Sequence, residues 1–222
     1  MMAGVTALFN TFDYDRCIAG HDTATQSTRL AAPVFPPGLV SPNLSDNAQP
    51  RLTECEMAGD QSFDSRAFRD ALGLYPTGVA VVTAATGGEA SHIGITVNSF
   101  TSVSLDPPLV LWCLDRKSDR YQAFTKANCY TVSILGTAHQ DVSSRLASRG
   151  NHSLDGIALR PTELGPPALA DALAVFECES AESHDAGDHA ILIGRVVRFA
   201  RHDAGAPLVF YGGKYSALAQ AT

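Results

Sequence analysis

The segment Gly94–Leu114, GITVNSFTSVSLDPPLVLWCL, constrains the fold of this chain most, because strand-forming and strand-breaking residues alternate along it. A first apolar run ends in the polar residues Thr96, Asn98 and Ser99. A second run follows, and Asp106-Pro107-Pro108 interrupts the pattern before a third. Proline has no N–H to donate to a β-ladder, so both prolines are expected between strands. The segment therefore predicts consecutive strands with small hydrogen-bonding groups at one end of an apolar sheet.

Strand-like runs dominate the chain from residue 79 onward, and they follow one another without the strand–helix alternation of a parallel sheet. The predicted strands are 79–85, 90–97, 100–105, 109–114, 129–136, 172–184, 189–202 and 207–215. Turn residues separate several of them, as at 86–89 and 185–188. Closing an antiparallel sheet removes its exposed edges. We therefore predict a mostly β fold, an antiparallel β-barrel with a few short helices.

Three short helices are predicted between these strands. The first lies in SFDSRAFRDALGLY, residues 62–75, with Asp64 or Ser65 as its N-cap. The second is DRYQAFTKA, residues 119–127, which Ser118 is predicted to cap. The third covers residues 139–148, where apolar residues recur at helical spacing.

Residues 1–60 differ from the remainder of the chain. They are rich in Thr, Ser, Asn, Asp, Ala and Pro and lack a sustained helical or strand period. This composition predicts a disordered N-terminal extension, followed by a single domain at residues 61–222. Met57 is the only methionine after Met2. Translation starting at Met57 is therefore one hypothesis, and a real but dispensable tail is the alternative.

Composition excludes several classes of partner. The net charge is −7, and no Lys/Arg cluster follows one face of a predicted element, so nucleic acid is not expected as a partner. No apolar run reaches the roughly 18–20 residues of a membrane-spanning helix, and a secretory signal is not evident. We therefore expect a protein that binds neither nucleic acid nor membranes.

Five cysteines are present, Cys17, Cys55, Cys113, Cys129 and Cys178, and none of them forms a CxxC motif. An odd number without this spacing argues against a disulfide framework or a zinc site, so no metal is expected. The last three lie in apolar strand-like runs and are predicted to be buried free thiols. A reducing cytoplasm is the expected compartment.

Two groups of residues have chemistry suited to a flat, acceptor-rich ligand with a charged end. Thr96, Asn98 and Ser99 offer hydrogen-bonding groups at a strand end, although such residues also satisfy their own turns. Arg116-Lys117-Ser118 opens a predicted helix, where free N–H groups and positive charge attract an anion. An ordinary capped surface helix has the same pattern, so both interpretations stay open from these residues alone.

Six segments in order resemble the short-chain flavin reductase family, the reductase components of two-component flavin-dependent monooxygenases. They are AFRDALGLYPTGVAVVTA, GITVNSFTSVSLDPPLV, the Ser118 helix start, VSSRLAS, GDHAILIGRV and PLVFYGGKY. The resemblance covers residues 63–218. It implies an FMN-binding Greek-key split barrel and a homodimer that binds FMN or FAD near the subunit interface. It further implies reduction of the flavin by NADH or NADPH, after which the reduced flavin leaves for a separate oxygenase in a transient partnership.

The resemblance also implies which residues form the site. Those expected at the flavin ring and its phosphate tail are His92, Gly94, Ile95, Thr96, Asn98, Ser99, Cys113, Leu114, Asp115, Ser118, Asp119, Arg120, Arg145, Phe210, Gly212 and Gly213. His189 and Tyr211 are expected beside the nicotinamide, where they orient it without covalent chemistry. Val97 and Tyr215 accompany these segments, Arg116 and Lys117 supply positive charge, and Trp112 is predicted to be core. Thr77 and Gly78 either touch the flavin or only begin the first strand.

Two other functions compete with this one, and both would share the same segments. The first is a split-barrel protein that carries flavin or haem without reducing flavin, and the second keeps the barrel but uses a deazaflavin. A hydrolase is disfavoured, because the sequence contains neither GxSxG nor HExxH. The residues do not decide between FMN and FAD, between NADH and NADPH, or which oxygenase receives the product.

Overall fold

The computed structural model describes residues 64–86, 92–202 and 205–218. These ranges lie in one compact unit, Cys55–Thr222, and contain three α-helices: α1 (Ser65–Leu72), α2 (Tyr121–Thr125) and α3 (Gln140–Ala147). The strands within them are β1 (Thr77–Gly78), β2 (Ala80–Ala85), β3 (His92–Val97), β4 (Thr101–Leu105), β5 (Pro108–Asp115), β6 (Cys129–Ile134), β7 (Leu159–Arg160), β8 (Ala168–Leu169), β9 (Ala174–Ala186), β10 (His189–Arg201), β11 (Leu208–Tyr211) and β12 (Lys214–Ala217). The predicted extension, the predicted start at Met57 and most of the predicted turn 86–89 lie outside the described residues.

The main sheet has seven strands in the order β3-β2-β6-β9-β10-β5-β4, and every pairing in it is antiparallel. Its two edge strands, β3 and β4, are joined directly by residues 98–100. The chain between Val97 and Thr101 spans at most about 14 Å, whereas the edges of a flat seven-stranded sheet lie about 29 Å apart. The sheet must therefore curl until its edges approach. This confirms the predicted antiparallel split β-barrel.

A second sheet of order β1-β11-β12 lies beside the first. The prediction of one strand over 207–215 is wrong, because this run is a hairpin of β11 and β12. Gly212 and Gly213 form its turn with φ of 57° and 76°. Glycine adopts these left-handed values without steric cost, so this turn explains both glycines without a ligand.

The core divides into two clusters. In the first, Trp112 is fully buried and meets Phe124 and Tyr130 edge-on, with ring centroids 5.3 and 5.8 Å apart. This confirms the prediction that Trp112 is core. The second cluster lies under α3 and contains Leu146 and Leu208 among its buried members. Together the clusters hold the strand ends and α3 in fixed positions around one edge of the barrel.

The three thiols within the described residues are free, as predicted, but they differ in burial. Only Cys178 is fully buried, and burial raises its pKa to about 12. Cys113 and Cys129 are half-buried, because Cys113 lies on the face of β5 opposite to the buried Trp112 and Leu114, and Cys129 is the first residue of β6.

Two predictions about helices need correction. Ser118 does not cap α2, because the helix begins at Tyr121 and its N-cap is Arg120. The predicted helix 139–148 starts instead with a 3-10 turn, Thr137–His139, before α3. Asp64 is the N-cap of α1, one of the two residues predicted for that role. No helix in the described ranges is long and apolar enough to cross a membrane.

Each predicted strand overlaps an observed one, and a further correction is needed at the proline pair. Pro108 is the first residue of β5 and lies opposite Leu105 of β4, whereas both prolines were predicted between strands. The first position of a strand tolerates proline because its missing N–H removes no central ladder bond.

Candidate functional site

A cavity of about 150 Å³ lies where the end of β3, the end of α3 and the β11–β12 hairpin meet. Its lining residues come from four separated parts of the sequence: Val79, Thr96, Val97, Asn98, Ala147, Phe210 and Tyr215. The structure therefore brings together the polar strand end and the C-terminal aromatic segment, which the sequence predicts as parts of one site.

The walls of this cavity are fixed by hydrogen bonds to α3. The hydroxyl of Thr96 donates to the carbonyl oxygen of Ser143 at 2.8 Å, and the hydroxyls of Ser143 and Tyr215 are 2.7 Å apart. The rings of Phe210 and Tyr215 pack edge-on with centroids 5.6 Å apart. Ser143 thus links β3 to β12. The hydroxyl proton of Thr96 is used in this link, so Thr96 cannot donate it to a ligand as well.

The two polar residues that follow β3 differ in what they can offer a ligand. The hydroxyl of Ser99 accepts from the Cys113 N–H at 2.9 Å, so it ties the β3–β4 connection to β5. Asn98 is exposed and lines the cavity, and its side-chain amide bonds to no group within the described ranges. Of the predicted ring-binding side chains on this segment, the Asn98 amide is therefore the one with both donor and acceptor available.

The first half of β3 does not line this cavity. A Cβ on Gly94 would lie 2.8 Å from the Leu154 side chain and 3.0 Å from that of Leu146. The N–H of Gly94 donates to the His152 carbonyl. The missing side chain of Gly94 thus makes room for Leu146 and Leu154, and not for a ligand ring, on this face of β3. His92 lines a larger cavity of about 540 Å³ beside His152, and Ile95 packs against the first core cluster.

The turn between β5 and α2 contains the predicted phosphate-binding residues. The Asp115 carboxylate accepts from the Lys117 N–H at 2.7 Å, and the Ser118 hydroxyl accepts from the Arg120 N–H at 3.2 Å. Arg116 forms an ion pair with Asp185 at 2.7 Å, and this bond raises the pKa of the guanidinium. The charge of Arg116 is therefore offset, and Lys117 is the cation of this turn without an ion pair in the part of the chain described. Leu114, just before the turn, belongs to the core.

His189 lies next to this turn. It begins β10 opposite Asp115, and the Arg116 N–H donates to the Asp188 carbonyl at 3.0 Å. The imidazole Nδ1 is 2.7 Å from the Asp188 carboxylate, and this hydrogen bond lowers the pKa of Asp188. The structure thus brings the predicted nicotinamide-side residue beside the predicted phosphate turn, although 70 residues separate Asp119 from His189 in sequence.

Two of the predicted cations are already engaged with protein. Arg120 is only 3% exposed, and its guanidinium donates to the carbonyls of Leu146 and Ser148. Arg145 donates to the carbonyls of Asp155 and Ser153 at 3.1 and 3.3 Å. Both were expected to contact the flavin tail. In this chain the guanidinium of Arg120 instead holds the end of α3, and that of Arg145 holds the loop at 153–155.

Asn98, Ser118 and Arg145 were expected to point toward a common cavity, and only Asn98 lines the one at the end of β3. Arg145 faces the loop at 153–155 because α3 turns that side of the helix away from β12. Ser118 stays connected to the cavity indirectly, since Arg120 joins its turn to the end of α3.

The remaining predicted residues lie at the C-terminal hairpin and β1. Tyr211 is 48% exposed. Thr77 pairs with Phe210, and its buried hydroxyl has no hydrogen-bond partner in the described ranges. Gly78 follows on the same strand, with open space where a Cβ would stand.

Sequence reasoning missed Ser143 and Ala147. Ser143 lies three residues before the buried Leu146, so helical spacing places it on the buried face. That spacing was the available signal that α3 contributes a polar group to the cavity.

Comparison with known proteins gives a consistent result. The model of the flavin reductase-like domain family matches residues 72–219. "FMN reductase (NADH) SmoA" of Agrobacterium fabrum is 47% identical over 68% of this chain and 85% of its own length. "Flavin-dependent monooxygenase, reductase subunit HsaB" of Mycobacterium tuberculosis is 37% identical over 70% of this chain and 83% of its own length.

Among solved structures, the NADH:FAD oxidoreductase SgcE6 of Streptomyces globisporus, in complex with NAD and FAD fragments, superimposes with a TM-score of 0.66. It is 34% identical to this chain, and the match covers 70% of this chain and 93% of that one.

Proposed function

The chain belongs to the flavin reductase-like domain family, and on that premise we propose that it is an NAD(P)H:flavin oxidoreductase that supplies reduced flavin to a separate monooxygenase. The observation that carries this proposal is the convergence of three distant segments at one edge of the barrel. The turn 115–120 adjoins the start of β10 through the bond from the Arg116 N–H to the Asp188 carbonyl, and the end of β3 is joined to β5, just before that turn, through Ser99 and Cys113. Relatives named as a NADH-dependent FMN reductase and a monooxygenase reductase subunit support the proposal.

A flavin fits this edge in part. The cavity beside Asn98 measures about 150 Å³, whereas pockets that enclose a small molecule have about 300–1,000 Å³. One edge of a tricyclic ring would therefore enter the cavity, and the rest would lie against surface that this chain alone does not cover. The side-chain amide of Asn98, which lines the cavity and bonds to no group in the described part of the chain, is the polar group that such a ring would satisfy.

A second copy of the chain is proposed to cover the remainder as a homodimer. Helix α1 has no buried residue, and large apolar side chains stay exposed on its C-terminal side and on β4 and β10. The exposed fractions are 76% for Tyr75, 82% for Leu105 and 75% for Phe199. Apolar surface of this kind marks an interaction site. Light scattering is expected to give twice the chain mass, and an active monomer would contradict the dimer.

The bound flavin and nicotinamide would supply the redox chemistry, a hydride passing from nicotinamide C4 to flavin N5. The chain's contribution is position and electrostatics. Asn98 and neighbouring backbone groups orient the ring, and Lys117 with the Ser118 turn holds the phosphate. The Asp188 carboxylate bonded to His189 Nδ1 leaves Nε2 to face the nicotinamide carboxamide. No side chain forms a covalent bond in this scheme.

Alanine at His189 or Tyr211 is expected to lower kcat/KM for the nicotinamide nucleotide about tenfold, because each loses an orienting contact made near the transition state. Flavin affinity is expected to change less than about twofold. Steady-state kinetics at saturating flavin measures the first effect and a flavin fluorescence titration the second. His184→Ala is the matched control, since His184 is an exposed histidine on β9. Equal loss of flavin affinity would contradict the assignment.

The test of the proposed function crosses two nucleotides, NADH and NADPH, with three flavins, FMN, FAD and riboflavin. Nucleotide oxidation is expected only when a flavin is added. If the protein binds flavin but shows no turnover, it is instead a flavin carrier, which is the alternative function given above.

Three further features belong to the proposal. The free thiols of the described residues are consistent with a reducing cytoplasm, which fractionation of the native host would test. The oxygenase partnership is proposed to be transient, and a stable complex in co-purification would contradict it. The division into an extension, residues 1–60, and a domain, residues 61–222, is proposed on composition, and N-terminal mass analysis decides whether Met57 is the start. A native peptide from residues 20–50 would exclude that start.

A further inference from the structure

Arg120 is a buried charged residue that the proposed hydride transfer does not use. Its side chain is 3% exposed, and arginine is rarely buried to this degree unless its donors are satisfied. One terminal nitrogen donates to the Leu146 carbonyl at 2.6 Å, and the other donates to the Ser148 carbonyl. The remaining guanidinium nitrogen, Nε, lies 3.4 Å from the Asp119 carboxylate, an ion-pair distance, and makes no hydrogen bond within the described ranges. The two terminal nitrogens therefore fix the orientation of the guanidinium.

The two carbonyls lie at the end of α3. The last four carbonyls of a helix lack partners within the helix, and a cation there is favourable for the helix dipole. The neighbouring Asp119 accepts from the Gly150 N–H at 2.7 Å, just past the helix. Asp119 and Arg120 thus bind the chain from 146 to 150, Arg120 through two carbonyls and Asp119 through the Gly150 N–H.

These contacts connect the two halves of the candidate site, the Ser118 turn and the cavity beside Asn98. Ala147 lies between Leu146 and Ser148, whose carbonyls bond to Arg120, and it lines the cavity beside Asn98. On the other side, the Arg120 N–H donates to the Ser118 hydroxyl. A single residue therefore contacts the phosphate turn through its backbone and holds the wall of the ring cavity through its side chain.

We propose that Arg120 is a positioning residue that sets the distance between the Ser118 turn and the Ala147 wall, and thereby the affinity for phosphate-bearing flavins. The inference rests on the proposed function. A ligand that spans both halves, FMN or FAD, depends on this distance. Riboflavin ends before the phosphate and depends on it less.

Arg120→Met tests the proposal in the full chain. KM for FMN is expected to rise about tenfold, and KM for riboflavin and for NADH by less than about threefold. Hydrogen exchange at residues 146–151 is expected to become faster, because their backbone loses two side-chain bonds. Lys126→Met removes the same charge from an exposed position on the same segment and is expected to change none of these values.

A merely structural role for Arg120 predicts a different pattern, a lower kcat from a smaller folded fraction with every KM unchanged. That pattern, or equal rises for FMN and riboflavin, would overturn the inference. Arg120→Lys keeps the charge but not the fork that reaches both carbonyls, so a partial rise in KM for FMN is expected. If Arg120→Met does not fold, this variant decides with the same two criteria.

Failure of the proposed function is distinguishable from failure of this inference. Wild-type protein without turnover contradicts the reductase, and a fluorescence titration with FMN and riboflavin then replaces KM as the readout for Arg120→Met. Wild-type protein that binds neither flavin overturns both.

Discussion

Ser118→Asp is expected to raise KM for FMN and FAD by about 10–100-fold, because it adds a negative charge where the flavin phosphate is proposed to bind. Two like charges 4 Å apart repel by about 4 kcal/mol at an effective dielectric of about 20, and screening by salt reduces this to the stated range. The fold is expected to persist, since an aspartate oxygen can accept from the Arg120 N–H as the serine hydroxyl does.

Riboflavin is the internal control for Ser118→Asp, because it has the ring but no phosphate. KM for riboflavin is expected to stay within about twofold of the wild-type value. Gln122→Asp supplies a second control, since it adds the same charge at an exposed position on α2. Equal losses for riboflavin and FMN would show that the phosphate does not bind at this turn.

Gly194→Ala is expected to destabilise the fold through a clash in the first core cluster. A Cβ at Gly194 would lie 2.1 Å from the Tyr130 hydroxyl oxygen and 2.7 Å from its Cζ. Tyr130 is 1% exposed and packs edge-on against Trp112, so its ring has no room to move aside. Overpacking of a core costs about 1–3 kcal/mol, which lowers Tm by roughly 2–4 °C per kcal/mol in a domain of this size.

Thermal unfolding of Gly194→Ala, Tyr130→Leu and the double variant measures this contact. The double variant is expected to lose less stability than the sum of the two single variants, because the shorter side chain makes room for the methyl group. Gly78→Ala is the control, since a Cβ there meets no atom within 4 Å. Additive losses of stability would mean that contact with Tyr130 is not the reason why position 194 requires glycine.

Much of the fold could be predicted because its signals are local. Strand-forming runs bounded by turn residues located the strands, and the absence of strand–helix alternation indicated the antiparallel class. The two-residue strands β1, β7 and β8 were not predicted, because so short a segment carries no period. Gly212-Gly213 is a strong hairpin signal, and its assignment to a ligand site concealed that role.

The candidate site could be predicted only in part, since side-chain direction depends on contacts between distant segments. Asn98 and Phe210 do line one cavity. Arg120 and Arg145 show the limit, because a sequence pattern does not reveal that a guanidinium is already bonded to carbonyls. The role of α3 was missed for the same reason, as Ser143 acquires its function from Thr96 and Tyr215, which lie 47 and 72 residues away.

The most direct test of the proposed reductase activity is anaerobic mixing of the full chain with FMN or FAD and NADH or NADPH, following the loss of the flavin's visible absorbance. Rapid reduction that requires the protein is expected, and slower reduction when the transferred C4 hydrogen of the nucleotide is deuterium. Reduction no faster than in the protein-free mixture, for every flavin and nucleotide pair, would contradict the activity.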